Sequence, residues 1–263
     1  MTDLQTTEPS APLLSVDAGV ATLTLNRPAH RNRLEAGDLS CLLGQFEQIN
    51  ADPGIRVVKL TANTQGQPRP VFCAGYHIGS FNQQDNDPQL FERVANTLAA
   101  LRPITVCALN GSVYGGATDL MLACDLSIGL TGTEFRMPAT ALGLHYYPGG
   151  LQRYVARLGL SGAKRAFLTA RPFTAEMLWH MGCFEALVAP EDFDATVNRL
   201  ISEIADLAPL AVQATKQSLN EIAAGQASLD AMRAREAATS ASQDFAEGRL
   251  AFQEKRKARF AGR

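Results

Sequence analysis

Two short β-rich runs, "LLSVD" and "VATLTL", flank Ala18-Gly19 near the start of the chain. Alternating apolar positions on either side of a turn-forming pair predict a hairpin. The polar loop "NRPAHRNRLE" follows. Between residues 35 and 50, Leu39, Leu42, Leu43, Phe46 and Ile49 recur at helical spacing, and Asp52-Pro53-Gly54 ends that helix. "IRVVKLTA" reads as a buried strand, "NTQGQPRP" as a loop, "VFCAG" as a short strand closing on glycine, and "NQQDNDPQ" as a second, mobile loop. A helix is predicted over 89–101, a strand in "ITVCALNG", a helix over 115–124 and a strand in "DLSIGL". Strand and helix alternate, which predicts βαβ units, a mainly parallel sheet and an α/β fold.

Past "PGGLQRYVARLG" the pattern turns mostly helical. Pro209 opens a helix holding Val212, Leu219 and Ile222, one long helix is expected over about 227–253, and the chain closes on the basic "EKRKARFAGR". The reading divides the chain into an α/β core, 1–205, and a helical region, 206–263. The second part is too small to bury much surface alone, so it packs on the core or on another subunit.

Composition narrows the function classes. Apolar residues make up 46% of the 263 and charged residues 19%, as in an ordinary globular protein. A formal net charge of −2 gives no broad basic field for nucleic acid. No apolar run approaches the roughly 20 residues of a membrane span. "MTDLQTTEPSAP" has neither a basic nor an apolar region of a signal peptide, so it is expected to be a frayed leader on a cytoplasmic protein. Cys41, Cys73, Cys107, Cys124 and Cys183 are scattered and form no CxxC pair, which predicts free thiols and no metal.

The candidate chemistry lies in two glycine elements. "VFCAGYHI" places Gly75 and then Tyr76 at the end of a strand, and "GSVYGGATDL" places Gly115 and Gly116 at the start of a helix, with Asp119 in its first turn. A helix N-terminus carries unpaired N–H donors and partial positive charge, and glycine lets a ligand approach them. If the loops converge, the N–H groups of Tyr76 and Gly116 address one oxygen, as an oxyanion hole does. The plainer alternative is that these glycines only permit tight turns and close helix packing.

The order "FCAGYHI", "NGSVYGGATDLMLACDLSI", "F-R-M-P", "LG" and "Y-P-G-G-L-Q-R" resembles the crotonase (enoyl-CoA hydratase/isomerase) family over essentially the whole chain. The resemblance implies a ββα spiral core carrying the acyl-CoA site and a helical C-terminal region used to form a trimer or a dimer of trimers. It implies no covalently bound cofactor, with coenzyme A entering as part of a thioester substrate. Tyr76 and Gly116 would then offer N–H groups to the thioester carbonyl. Arg27 of "NRPAHRN" and Ala74, His77 and Ile78 of "AGYHI" would line the CoA pocket, with Lys257 of the basic tail reaching CoA phosphates.

Hydratases of this family share water activation and proton delivery between two glutamates. One position is Asp119 here, and the other, after the proline of Met137-Pro138-Ala139, is an alanine. Loss of one proton-transfer partner forfeits about 10²–10⁴ in rate. "LGLHYYPGG" instead brings His145, Tyr146 and Tyr147 in a row and is similar to the methylmalonyl-CoA decarboxylases of the family, which have a tyrosine matching Tyr146 and lack the second glutamate. Asp119 and His145 depart from that subfamily, which carries glutamate and proline there. Decarboxylation needs a polarised carbonyl and a partly desolvated carboxylate but no strong base. Three readings follow: a decarboxylase using Tyr146, with His145 or Tyr146 as proton source; a hydratase or isomerase using Asp119; and a CoA-thioester binding protein without chemistry. Tyr146 and Tyr147 also read as loop packing, and Asp119 as a helix-dipole partner.

Overall fold

The predicted hairpin opens the first sheet: β1 (Leu13–Asp17) pairs antiparallel with β2 (Val20–Leu25) in a computed structural model that describes residues 11–77 and 87–263. Its two-residue turn has positive φ at both Ala18 (46°) and Gly19 (80°), the twist a tight hairpin requires. The helix α1 (Ala36–Ala51) begins with a reciprocal cap in which the Glu35 N–H donates to Asp38 and the Glu35 side chain accepts from the Asp38 backbone. β3 (Val57–Ala62), β4 (Val71–Cys73), α2 (Leu90–Ala99), β5 (Ile104–Leu109), β6 (Ser112–Tyr114), α3 (Gly116–Ala123), β7 (Leu126–Leu130) and β8 (Glu134–Arg136) follow. After them come α4 (Pro148–Thr169), β9 (Phe173–Thr174), α5 (Ala175–His180), β10 (Ala186–Val188), α6 (Phe193–Ala205), α7 (Pro209–Ala223), α8 (Leu229–Ser240) and α9 (Gln243–Glu254).

Two sheets form. One runs β1-β2-β3-β5-β7-β10 and is parallel from β2 onward. The other runs β4-β6-β8-β9, with only the β8–β9 pair antiparallel. β5 is buried at all six positions, as a parallel strand covered on both faces must be. One face meets Phe193, Val197 and Ile201 of α6. The other joins the main core with Leu39, Phe46, Val94, Leu98 and Met121 of α1, α2 and α3. β4 and β6 pair in parallel, so they deliver their C-terminal ends, and the two glycine turns, to the same side.

The helical C-terminal region differs from expectation in one respect. The long helix over about 227–253 is two helices, α8 and α9, because the Ser242 hydroxyl accepts the Phe245 N–H (3.0 Å) and starts a new helix. α7 docks on the core through Lys216, whose buried ammonium donates to Pro103 O (2.8 Å) and pairs with Asp125 (2.7 Å). The tail returns to the core where Arg56 donates to Phe260 O (2.6 Å). α8 buries none of its own residues against the chain. All five cysteines are free. Among the described residues, no helix is long and apolar enough to cross a membrane.

Candidate active site

The two glycine turns touch. Gly75 has φ +96° and Gly115 φ +55°, conformations that L side chains rarely adopt. A Cβ on Gly75 would lie 2.9 Å from the Tyr114 carbonyl, and one on Gly115 would lie 3.7 Å from Gly75 Cα. The residues that follow this contact are Tyr76 and Gly116, so the turns do converge. Leu34 N–H donates to Gly75 O and His77 N–H donates to Leu34 O, both 2.9 Å. That pairing brackets Tyr76 as a bridge residue and turns its own N–H away from Leu34. Gly116 opens α3 with no side-chain cap, and only from Thr118 on, whose N–H donates to Gly115 O (3.0 Å), does the helix supply its own acceptors.

The loop before α1 is fastened to the first turn. Ala74 N–H donates to Arg31 O (2.9 Å). Asn32, fully buried and left-handed at φ 53°, accepts the Arg27 N–H (2.9 Å) and donates to Asn63 O (2.8 Å) and Val71 O (3.2 Å). Cys73 donates its S–H to Asn32 O (2.9 Å), and burial pushes that thiol up to about 12. Arg27, Ala74 and His77 are thereby gathered along one edge, although the Arg27 guanidinium is already held by Asp38 (2.9 and 3.2 Å). Ile78 lies outside the described residues.

Asp119, read from the sequence as a carboxylate without a second acid, has an arginine and a tyrosine as partners. It is 0% exposed, and both of its oxygens are engaged. Arg153 of α4 donates Nε to Oδ1 (2.9 Å) and Nη2 to Oδ2 (2.6 Å), and the Tyr147 hydroxyl donates to Oδ2 at 2.5 Å. Arg153 also donates Nη1 to Asn96 of α2 (2.8 Å). The Tyr146 hydroxyl donates to that of Tyr147 (3.0 Å), and the two rings stack with centroids 4.1 Å apart. Burial first, and then the Asp119 charge, raises both phenols above their ordinary range, so they stay neutral at physiological pH. Burial opposes the Arg153 charge, but the hydrogen bond to Asp119, the Asp119 charge and the two phenols together outweigh it and raise the guanidinium pKa.

Of the two tyrosines, Tyr147 is the one beside the glycine turns. Its ring faces Phe91 (centroids 6.3 Å), which faces Tyr76 (6.0 Å), while Tyr146 is buried behind it against Tyr154 and Phe167. Gly150 permits this stacking, since a Cβ there would fall 2.3 Å from the Tyr146 ring and 2.8 Å from Tyr147. His145 is exposed, and the Ala139 methyl is buried. Half-buried Glu92 of α2 accepts the Gly149 N–H (3.2 Å) at the start of α4. Lys257 pairs with Asp206 (2.5 Å) in a different cleft, lined also by Arg56, Glu247 and Arg256. Sequence reasoning left Arg153, Asn32, Phe91 and Glu92 without roles. Arg153 closes the "Y-P-G-G-L-Q-R" motif and Asn32 lies within "NRPAHRN", so their motifs were the signal that could have found them. Phe91 and Glu92, in "LFERVANTLAA", carried no local signal beyond helical spacing.

The family profile for enoyl-CoA hydratase/isomerase matches residues 15–263. The chain belongs to that family. A 2,3-dehydroadipyl-CoA hydratase of Escherichia coli is 33% identical over 261 residues, covering 95% of this chain and 98% of the relative. A crotonyl-CoA hydratase of Syntrophomonas wolfei is 29% identical, covering 94% and 96%. The crystal structure of an enoyl-CoA hydratase from Bacillus anthracis superimposes with a TM-score of 0.86 at 25% identity, covering 96% of this chain and 99% of that one. The α/β fold with its helical C-terminal region is therefore the family fold, and an acyl-CoA substrate is consistent with membership.

Proposed function

We propose that this enoyl-CoA hydratase/isomerase family member stabilises a thioester enolate between the N–H groups of Tyr76 and Gly116, and that its reaction is decarboxylation of a malonyl-type CoA thioester such as methylmalonyl-CoA. One observation carries the choice of reaction: Asp119 is closed off by Arg153 and Tyr147, and position 139 holds a methyl group. A carboxylate with both oxygens engaged by a guanidinium and a phenol is a poor base for activating water.

Decarboxylation fits what remains. The substrate's C–C bond to its carboxylate breaks, CO₂ leaves, and the bonding electrons pass into the thioester as an enolate. Two preorganised N–H donors stabilise the oxygen on which that charge develops. Phe91, Tyr76 and Tyr147 give the reacting carboxylate an aromatic wall that strips part of its hydration. Arg153 neutralises Asp119, so the pair does not repel a departing carboxylate. Water then protonates the enolate carbon to give the shorter acyl-CoA.

Enoyl-CoA hydration is the second reading, favoured by the names of the relatives. It would need Asp119 freed from Arg153 and Tyr147 to act as the acid. A paired assay separates the two. Purified protein with methylmalonyl-CoA is expected to give propionyl-CoA and with crotonyl-CoA to give no product by mass spectrometry. Hydroxybutyryl-CoA from crotonyl-CoA would instead establish the hydratase.

A further inference from the structure

The space directly beside Gly116 is closed by one side chain. A Cβ on Gly116 would lie 2.7 Å from Phe91 Cζ, 2.9 Å from Cε1 and 3.1 Å from Cε2. Those three atoms are the outer end of the ring, so Phe91 points tip-first at the glycine. The ring is buried and packs against the rings of Tyr76 (centroids 6.0 Å) and Tyr147 (6.3 Å). Its helix, α2, is itself tied to α4 through Glu92 with Gly149 and Asn96 with Arg153. A ring packed among aromatics on a helix fastened at two points does not swing aside cheaply.

We infer that Phe91 is the specificity-determining residue that limits this enzyme to short acyl groups, by ending the acyl pocket immediately beyond the thioester carbon. The inference rests on the placement of the thioester carbonyl at Tyr76 and Gly116. An acyl chain leaving a carbonyl seated there meets the tip of Phe91, and an extended chain has to displace it. A short, branched or carboxylated acyl group fits in front of the ring without doing so. Shortening the side chain opens room in line with the carbonyl, and each methylene that gains a buried place tightens binding about fourfold.

The test is affinity, measured by calorimetric titration of acetyl-, butyryl- and octanoyl-CoA into the full chain, Phe91→Leu and Phe91→Ala. Melting curves of the unliganded proteins establish that each variant is folded, and the leucine variant keeps the aliphatic packing if alanine does not. The wild type is expected to bind butyryl-CoA more tightly than octanoyl-CoA, and the variants to shift that ratio toward octanoyl-CoA by about tenfold or more, the gain of two methylenes. A wild type indifferent to chain length, or a folded variant with the wild-type ratio, overturns the assignment of Phe91 while leaving the acyl-CoA site standing. Failure of every CoA ester to bind the wild type overturns the acyl-CoA site itself, and this inference with it.

Discussion

Arg153 and Asp119 form a two-pronged ion pair across the α3–α4 contact, 34 positions apart in sequence, with the carboxylate wholly buried. The pair supports Tyr147 and turns an acidic residue at the proposed reaction centre into a neutral unit. Arg153→Met leaves the Asp119 charge buried without its partner, and the expected cost is about 3–5 kcal/mol of stability. Adding Asp119→Leu removes the orphaned charge and is expected to restore most of that loss. Urea denaturation of the two singles and the double measures the coupling.

Gly75 and Gly116 are both intolerant of a side chain, but for different reasons. At Gly75 an added Cβ meets the Tyr114 backbone carbonyl at 2.9 Å in a left-handed conformation. Neither problem is relieved by a neighbour, so Gly75→Ala is expected to cost at least about 1–3 kcal/mol. At Gly116 the obstacle is the Phe91 side chain. Phe91→Leu is therefore expected to rescue part of the stability lost in Gly116→Ala and none of that lost in Gly75→Ala, as read by thermal melting.

The Cys73 thiol predicts an alkaline signature. Its native pKa is raised from 9.0 to about 12 by burial. Above pH 9.0 the unfolded chain releases this proton while the native chain keeps it, so the native state loses stability as pH rises toward about 12. The contribution is a slope of about 1.4 kcal/mol per pH unit. Unfolding free energies between these limits should fall less steeply by that amount in Cys73→Ala.

Much of the fold was legible because its signals are local. The positive-φ pair Ala18-Gly19, the helical spacing of Leu39, Leu42, Phe46 and Ile49, and the apolar run of β5 each announce an element within a dozen residues. β6, β8 and β9 have three residues or fewer, too short for alternation to register. The break at Ser242 depends on one hydroxyl within a stretch of good helix formers. Glycine turns likewise mark their own positions, so Tyr76 and Gly116 were readable as candidates. The Asp119–Arg153 pair was not, since it exists only once α3 and α4 dock. The order of Tyr146 and Tyr147 also escaped sequence reasoning. Which of two adjacent rings faces the turns follows from the backbone at Pro148 and from the clearance Gly150 provides.

The break at Ser242 carries its own prediction. Ser242→Ala removes the cap on α9 and is expected to cost about 1 kcal/mol, while Ser242→Asp is expected to retain the cap. Guanidinium denaturation of both variants checks this.

In the proposed mechanism Asp119 holds Tyr147 and Arg153 in place and does not transfer a proton. The most direct test is the turnover number of Asp119→Asn on methylmalonyl-CoA, with melting curves to confirm a folded protein. Propionyl-CoA formation within about tenfold of the wild-type rate is expected. A folded variant whose turnover falls by about 10²–10⁴, the loss expected of a missing general acid or base, would contradict it.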